Sequence, residues 1–152
     1  MRRGMSLPAA AAGCGDAKTA KGELMQLREL RGEVQALADV LESLWAQATG
    51  VTQHLSDMPG GGKGMDIGDV VADIVDTQRE YHARLMRCLE YERMVMGRIN
   101  AISDGRYRQV LMRRYVSGQG WNRIAEAMHY SRMQVTRLHG QALREYDLQH
   151  DR

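Results

Sequence analysis

The chain has 152 residues, 21 Lys and Arg against 19 Asp and Glu for a formal net charge of +2, and 43% hydrophobic residues with no Phe. That length suits one to two domains with a small globular core. No stretch approaches the roughly 20 apolar residues of a membrane span, and neither the two cysteines, Cys14 and Cys88, nor the five histidines have the spacing of a disulfide framework or a zinc site.

Residues 1–22 read as a disordered tail. MRRGMSLPAAAAGCG has a faint look of an export signal, but its apolar run is short and Ala-dominated, and no aliphatic residue stands three before Cys14. With no such signal and unpaired cysteines, the expected location is the cytoplasm.

Residues 23–104 are predicted to form a coiled-coil helical hairpin. Leu27, Leu30, Val34, Leu37, Leu41 and Leu44 alternate steps of three and four, the seam of a coiled coil, with Val40 and Trp45 widening the stripe. A second heptad series runs Ile67, Val71, Ile74, Gln78, Tyr81, Leu85, Cys88, Glu92, Val95, Ile99 and Ile102. The stretch 49–65 between them contains PGGGKG and reads as a flexible linker, so the two helices are expected to fold back antiparallel. GGGKG lacks the Ser or Thr of a phosphate loop and follows no strand. The first helix is expected to be roughly 35 Å long and the second roughly 55 Å. The overhang would need a partner, such as a second copy of the chain, with the polar seam residues Gln78 and Glu92 restricting register.

Residues 105–148 read as a helix-turn-helix. RYRQVLMRRYV is followed by the break SGQG, then WNRIAEAM, the corner HYS and RMQVTRLHGQALREYD. Val110, Leu111 and Tyr115, then Ile124, Ala125 and Met128, then Val135, Leu138, Ala142 and Leu143 give each segment one buried face. Gly118 and Gly120 separate the first two helices. Ser131 is a good N-cap whose hydroxyl can accept from the N–H of Met133 or Gln134, so the last helix should start near Arg132. Turning Val135, Leu138 and Ala142 inward puts Met133, Thr136, Arg137, Gly140 and Arg144 on the opposite face, the one a recognition helix presents to the major groove. Arg132, Met133, Thr136 and Arg137 are the expected base readers: Arg137 suits guanine, whereas Met133 and the Thr136 methyl suit the thymine methyl. Arg114, Asn122, Arg123, Ser131 and Gln134 are expected to hold phosphates. Gly140 would admit a close backbone approach.

Charge is segregated to match. Residues 105–152 carry nine arginines against four acids, whereas residues 23–104 hold eight basic against fourteen acidic groups. Positive charge concentrated on one unit is what attraction to phosphates requires. No constellation of nucleophile, base and metal ligands suggests an enzyme or a cofactor; carboxylates alternate with Arg as on a solvated face, and His139 reads as a surface-lining residue of the helix-turn-helix.

The run Val110 to Leu143 resembles region 4 of bacterial sigma factors. VLMRRY resembles its opening helix and WNRIAEAMHYSRMQVTRLHGQAL its helix-turn-helix. That resemblance implies DNA contacts at Arg132, Met133, Gln134, Thr136 and Arg137 and a backbone contact at Arg114. Met133 and Thr136 depart from the charged residues usual there, which implies a different target sequence. A complete sigma factor would also need an aromatic-rich promoter-melting region, which the sequence lacks.

The layout as a whole resembles phage and prophage regulators of the ArpU type, with Tyr107, Arg108, Val110, Leu111, Arg114 and Tyr115 as YR-x-VL-x-x-RY. It continues with Trp121, Ile124, Ala125, Met128, Tyr130 and Ser131, and ends on the V-x-R-LHG-x-AL of Val135, Arg137, Leu138, His139, Gly140, Ala142 and Leu143. This implies regulation of late-gene transcription on double-stranded DNA in a bacterial host; from the helical patterns the protein is expected to be all-α and to self-associate through the coiled coil, with RNA polymerase as a further expected partner. Two other readings remain open: a phage terminase small subunit, which also joins a helix-turn-helix to a coiled coil, and an adaptor that docks on polymerase without touching DNA.

Overall fold

The computed structural model describes residues 19–54 and 66–150, and among them the fold is all α. Two long helices, α1 (Ala20–His54) and α2 (Ile67–Ala101), are followed by α3 (Gly105–Leu111), which runs into a π-helical turn (Met112–Val116), and then by α4 (Trp121–Met128) and α5 (Arg132–His150).

The helix ends follow local chemistry. Asp66 caps α2, its carboxylate accepting from the Gly68 N–H at 3.1 Å, and Asp104 caps α3 by accepting from the Arg106 N–H at 2.8 Å. Between α2 and α3 the backbone turns extended at Ile102, whose side chain is buried. The Arg108 guanidinium closes this joint by donating to the carbonyls of Ile102 (2.5 Å) and Ser103 (2.9 Å).

α1 and α2 pack side by side and antiparallel. Arg98 pairs with Glu23, Arg31 with Glu92 at 3.5 Å and Arg84 with Glu33, so partners descend along one helix as they ascend along the other. Both helices have 35 residues, about 52 Å at 1.5 Å per residue. The expected overhang of the second helix is therefore absent. α1 is longer than its leucine spacing suggested because its packed face opens two turns before Leu27, at Ala20 and then Leu24, where a small residue and Gly22 conceal the pattern. At its other end α1 continues through Thr49 to His54, into the expected linker, of which residues 55–65 lie outside the described residues.

Two further expectations change. The tail expected to run to residue 22 cannot do so, because Ala20 and Gly22 are helical and Ala20 is buried; residues 1–18, with the export-like segment and Cys14, lie outside the described residues. Near the start of α2 the buried residues are Val70 and Ile74, while Ile67, Val71 and Gln78 are exposed, so Gln78 does not sit in a seam. A strict seven-residue repeat drifts about 20° per heptad on a 3.6-residue helix, and over five turns that is enough to rotate the first apolar positions out of contact.

The helix pair and the C-terminal helices share one core. Leu24, Leu27, Cys88, Val95, Ile99 and Ile102 join Val110, Leu111, Tyr115, Ile124, Val135, Ala142 and Tyr146 in a continuous buried cluster. α5 touches both long helices. At that junction the Tyr146 hydroxyl donates to Glu23 at 2.8 Å, Arg98 holds the other carboxylate oxygen, and the Ala20 N–H donates to Asp147 at 2.6 Å. Glu23 is buried, and its oxygens are matched by two donors from two other helices, the condition for placing a carboxylate inside a fold.

Candidate nucleic-acid interface

The turn between α4 and α5 is fixed by backbone chemistry. α4 starts after Gly118 (φ 65°) and Gly120, and ends at His129 in the left-handed conformation (φ 57°). There the His129 N–H donates to Glu126 O (3.2 Å) and the Tyr130 N–H to Ala125 O (3.0 Å), a Schellman closure. Ser131 then opens α5 as the sequence indicated: its hydroxyl accepts from the Gln134 N–H at 3.2 Å. The Gln134 side chain returns the bond, its Oε1 accepting from the Ser131 N–H at 2.8 Å. Ser-x-x-Gln is a capping box, legible in the sequence although the sequence reading gave both residues to phosphate. Gln134 is thereby occupied as a helix cap.

α5 buries Val135, Ala142 and Tyr146 and partly buries Leu138 and Leu143. The opposite face exposes Arg132, Met133, Gln134, Thr136, Arg137, Gly140, Gln141 and Arg144. Met133 is 74% exposed, and Leu148, further along, is 62% exposed. Neither Arg132 nor Arg137 forms an ion pair with a described residue. The Thr136 hydroxyl donates to the Arg132 carbonyl at 2.9 Å, which leaves its methyl to meet a ligand. A Cβ built on Gly140 would meet no heavy atom within 4 Å, so the fold itself does not require glycine there. The four base-reading candidates thus lie together on one uncovered face.

Of the phosphate candidates, Asn122 and Arg123 are exposed in the first turn of α4. Arg114 is different. Its guanidinium lies 4.4 Å from the centroid of the Trp121 ring and donates to the Gln119 carbonyl at 3.1 Å, so it ties α3's π-helical turn to the start of α4. Trp121 meets the His139 ring edge-on at 4.8 Å, and the Tyr115 hydroxyl stands 2.9 Å from His139 Nε2. Burial, with the charges of Arg114 and Lys21 adding to it, holds the His139 imidazole down to about 4, so the ring is neutral at neutral pH and free to accept that bond. Burial likewise raises the Tyr115 phenol. The role of Trp121 as a platform for Arg114 was not read from the sequence, since a Trp ten residues before a cap carries no periodic signal.

Among the described residues no group of three or more His, Cys, Asp or Glu could hold a metal ion. Cys88 is buried and free, and burial raises its thiol. Among the described residues no helix is long and apolar enough to cross a membrane. No family model, curated protein or solved structure matches the chain.

Proposed function

We propose that the chain binds duplex DNA in a sequence-specific manner and regulates transcription, with α5 entering the major groove. The observation that carries this reading is the uncovered face of α5, where Arg132, Met133, Thr136 and Arg137 stand together at the N-terminal end of a helix whose other face is locked into the core. Asn122 and Arg123, on the first turn of α4, flank it and serve as phosphate contacts. RNA polymerase is the further partner proposed for such a regulator. The test is selection of bound fragments from a bacterial or phage genome at defined salt, followed by titration of the selected site. Arg137→Ala should weaken that site by about 1–3 kcal/mol and relax the preference at one base pair; binding equal to wild type would remove Arg137 from the reading face. A large ring and a single site near a packaging locus would turn the reading toward a terminase small subunit.

One observation favours the adaptor reading: Met133 and Leu148 are apolar and highly exposed on the face that carries Arg137, a composition suited to a protein partner. Salt-dependent duplex binding separates the two, since only DNA contact releases counterions from a polyphosphate. Self-association is proposed on new ground. Val71, Val75, Met86 and Leu89 leave one side of α2 apolar and exposed, and a mass measurement at micromolar concentration reports directly whether copies associate there.

A further inference from the structure

α1 begins beside α5, the helix proposed to enter the major groove. Its first turn is pinned to α5 twice, by the Ala20 N–H on Asp147 (2.6 Å) and by Glu23 under the Tyr146 hydroxyl (2.8 Å). Lys21 lies between these two anchors and is exposed. Arg28 is seven residues further on, two turns along the same side of α1. Neither pairs with a carboxylate of the described residues.

The charges of these two cations are felt at the aromatic cluster already described. The charges acting on His139 are those of Arg114 and Lys21, and those acting on Tyr115 are Arg114 and Arg28; all are positive. Asp147, an acid of the same junction, accepts from the Ala20 N–H. Trp121, in edge contact with His139, opens α4, whose next residues are the exposed Asn122 and Arg123. Three segments distant in sequence therefore bring positive side chains to one flank of α5. The flank that carries Tyr107 and Gln141 differs: Arg106 there is clamped by Asp104 at 2.7 Å. A duplex seated on α5 would place one phosphate ridge along each flank, and on the first flank Lys21, Arg28 and Arg123 are cations that form no ion pair with a described residue.

Building on the proposed DNA binding, we infer that Lys21 and Arg28 of α1 are phosphate-contacting residues, so that the long-helix pair forms one wall of the DNA interface. Such contacts strengthen binding on any sequence and make it more salt-dependent, without altering which bases are preferred.

The experiment measures duplex affinity by fluorescence anisotropy over a series of salt concentrations, on the selected site and on a scrambled duplex, with the full chain. Lys21→Gln and Arg28→Gln should each weaken both duplexes several-fold at low salt and lower the log–log salt slope by about 0.9. Arg87→Gln, which removes the same charge from an exposed position of α2, should leave the slope unchanged. Unfolding midpoints equal to wild type for both α1 variants exclude a folding defect, and Lys21→Arg should restore the slope if the first variant lowers it. Wild-type binding whose slope is unmoved by Lys21→Gln and Arg28→Gln overturns this inference and leaves the reading face of α5 intact. Absence of wild-type duplex binding overturns the proposed function and this inference with it.

Discussion

The two ends of the long-helix pair differ in what surrounds them. At the base, Ala20, Leu24, Leu27, Val95 and Ile99 are buried by the C-terminal helices as well as by each other. Toward the far end Val40, Trp45, Val71 and Val75 are exposed, although their residue types are just as apolar. Two helices can cover only one stripe of each other, whereas a third and fourth helix cover the flanks too. Apolar content alone therefore does not locate the core; the number of neighbouring elements does.

The largest expected effect tests that contrast directly. Leu24→Ala should cost about 2–5 kcal/mol in urea unfolding, because a fully buried side chain is removed from a core with no room to collapse. Val40→Ala, at an exposed site, should stay within about 0.5 kcal/mol. Similar costs for both would erase the distinction between base and far end. Next in size is Glu23→Ala, which strands the Tyr146 hydroxyl and the Arg98 guanidinium; a loss of about 2 kcal/mol is expected, moderated because Arg98 retains some access to water.

A third measurement sharpens the contrast through pH. His139 titrates at about 4 in the fold and near 6.5 when unfolded, so between those values the unfolded chain binds the extra proton. The neutral ring's contribution to stability is complete above pH 6.5 and is lost progressively as pH falls toward 4. Proton NMR should find the His139 titration near the lower value, and stability between pH 6.5 and 4.5 should depend less on pH in His139→Gln. A His139 titration near 6.5 would mean that the aromatic cluster opens to water like the far end. The smallest expected effect has the opposite sign: Gly140→Ala should raise stability by about 0.5–1 kcal/mol, since the site is helical and open. The same variant should weaken duplex binding if the backbone at Gly140 approaches DNA.

What could be read from the sequence was local. The caps and breaks that delimit α4 and α5 are set by neighbours within a few residues, so Ser131, Gly118 and Gly120 gave them away, and the inward residues Val135 and Ala142 followed from helical spacing. The uncovered face of α5 followed by subtraction. Two kinds of information were hidden. One was the start of α1, where Ala20 is too small to register as an apolar position yet is buried and bonded through its N–H to Asp147 of α5. The other was pairing across distance. Nothing near Glu23 marks it for burial, because its partners Arg98 and Tyr146 lie 75 and 123 residues away. The place of Arg114 on the Trp121 ring was hidden for the same reason, since it depends on how the π-helical turn aims the side chain.

The bond from the Ala20 N–H to Asp147 spans 127 residues, and that span bears on the order of folding. α4 and α5 can close their turn from nearby contacts, but the last turns of α5 gain cover only when the first turn of α1 arrives, and contacts of such separation form late. The chain should consequently unfold as one cooperative unit, not as a head that outlives its helix pair. Amide exchange in α5 around Ala142 and Tyr146 should slow and quicken together with that of α1 around Leu24.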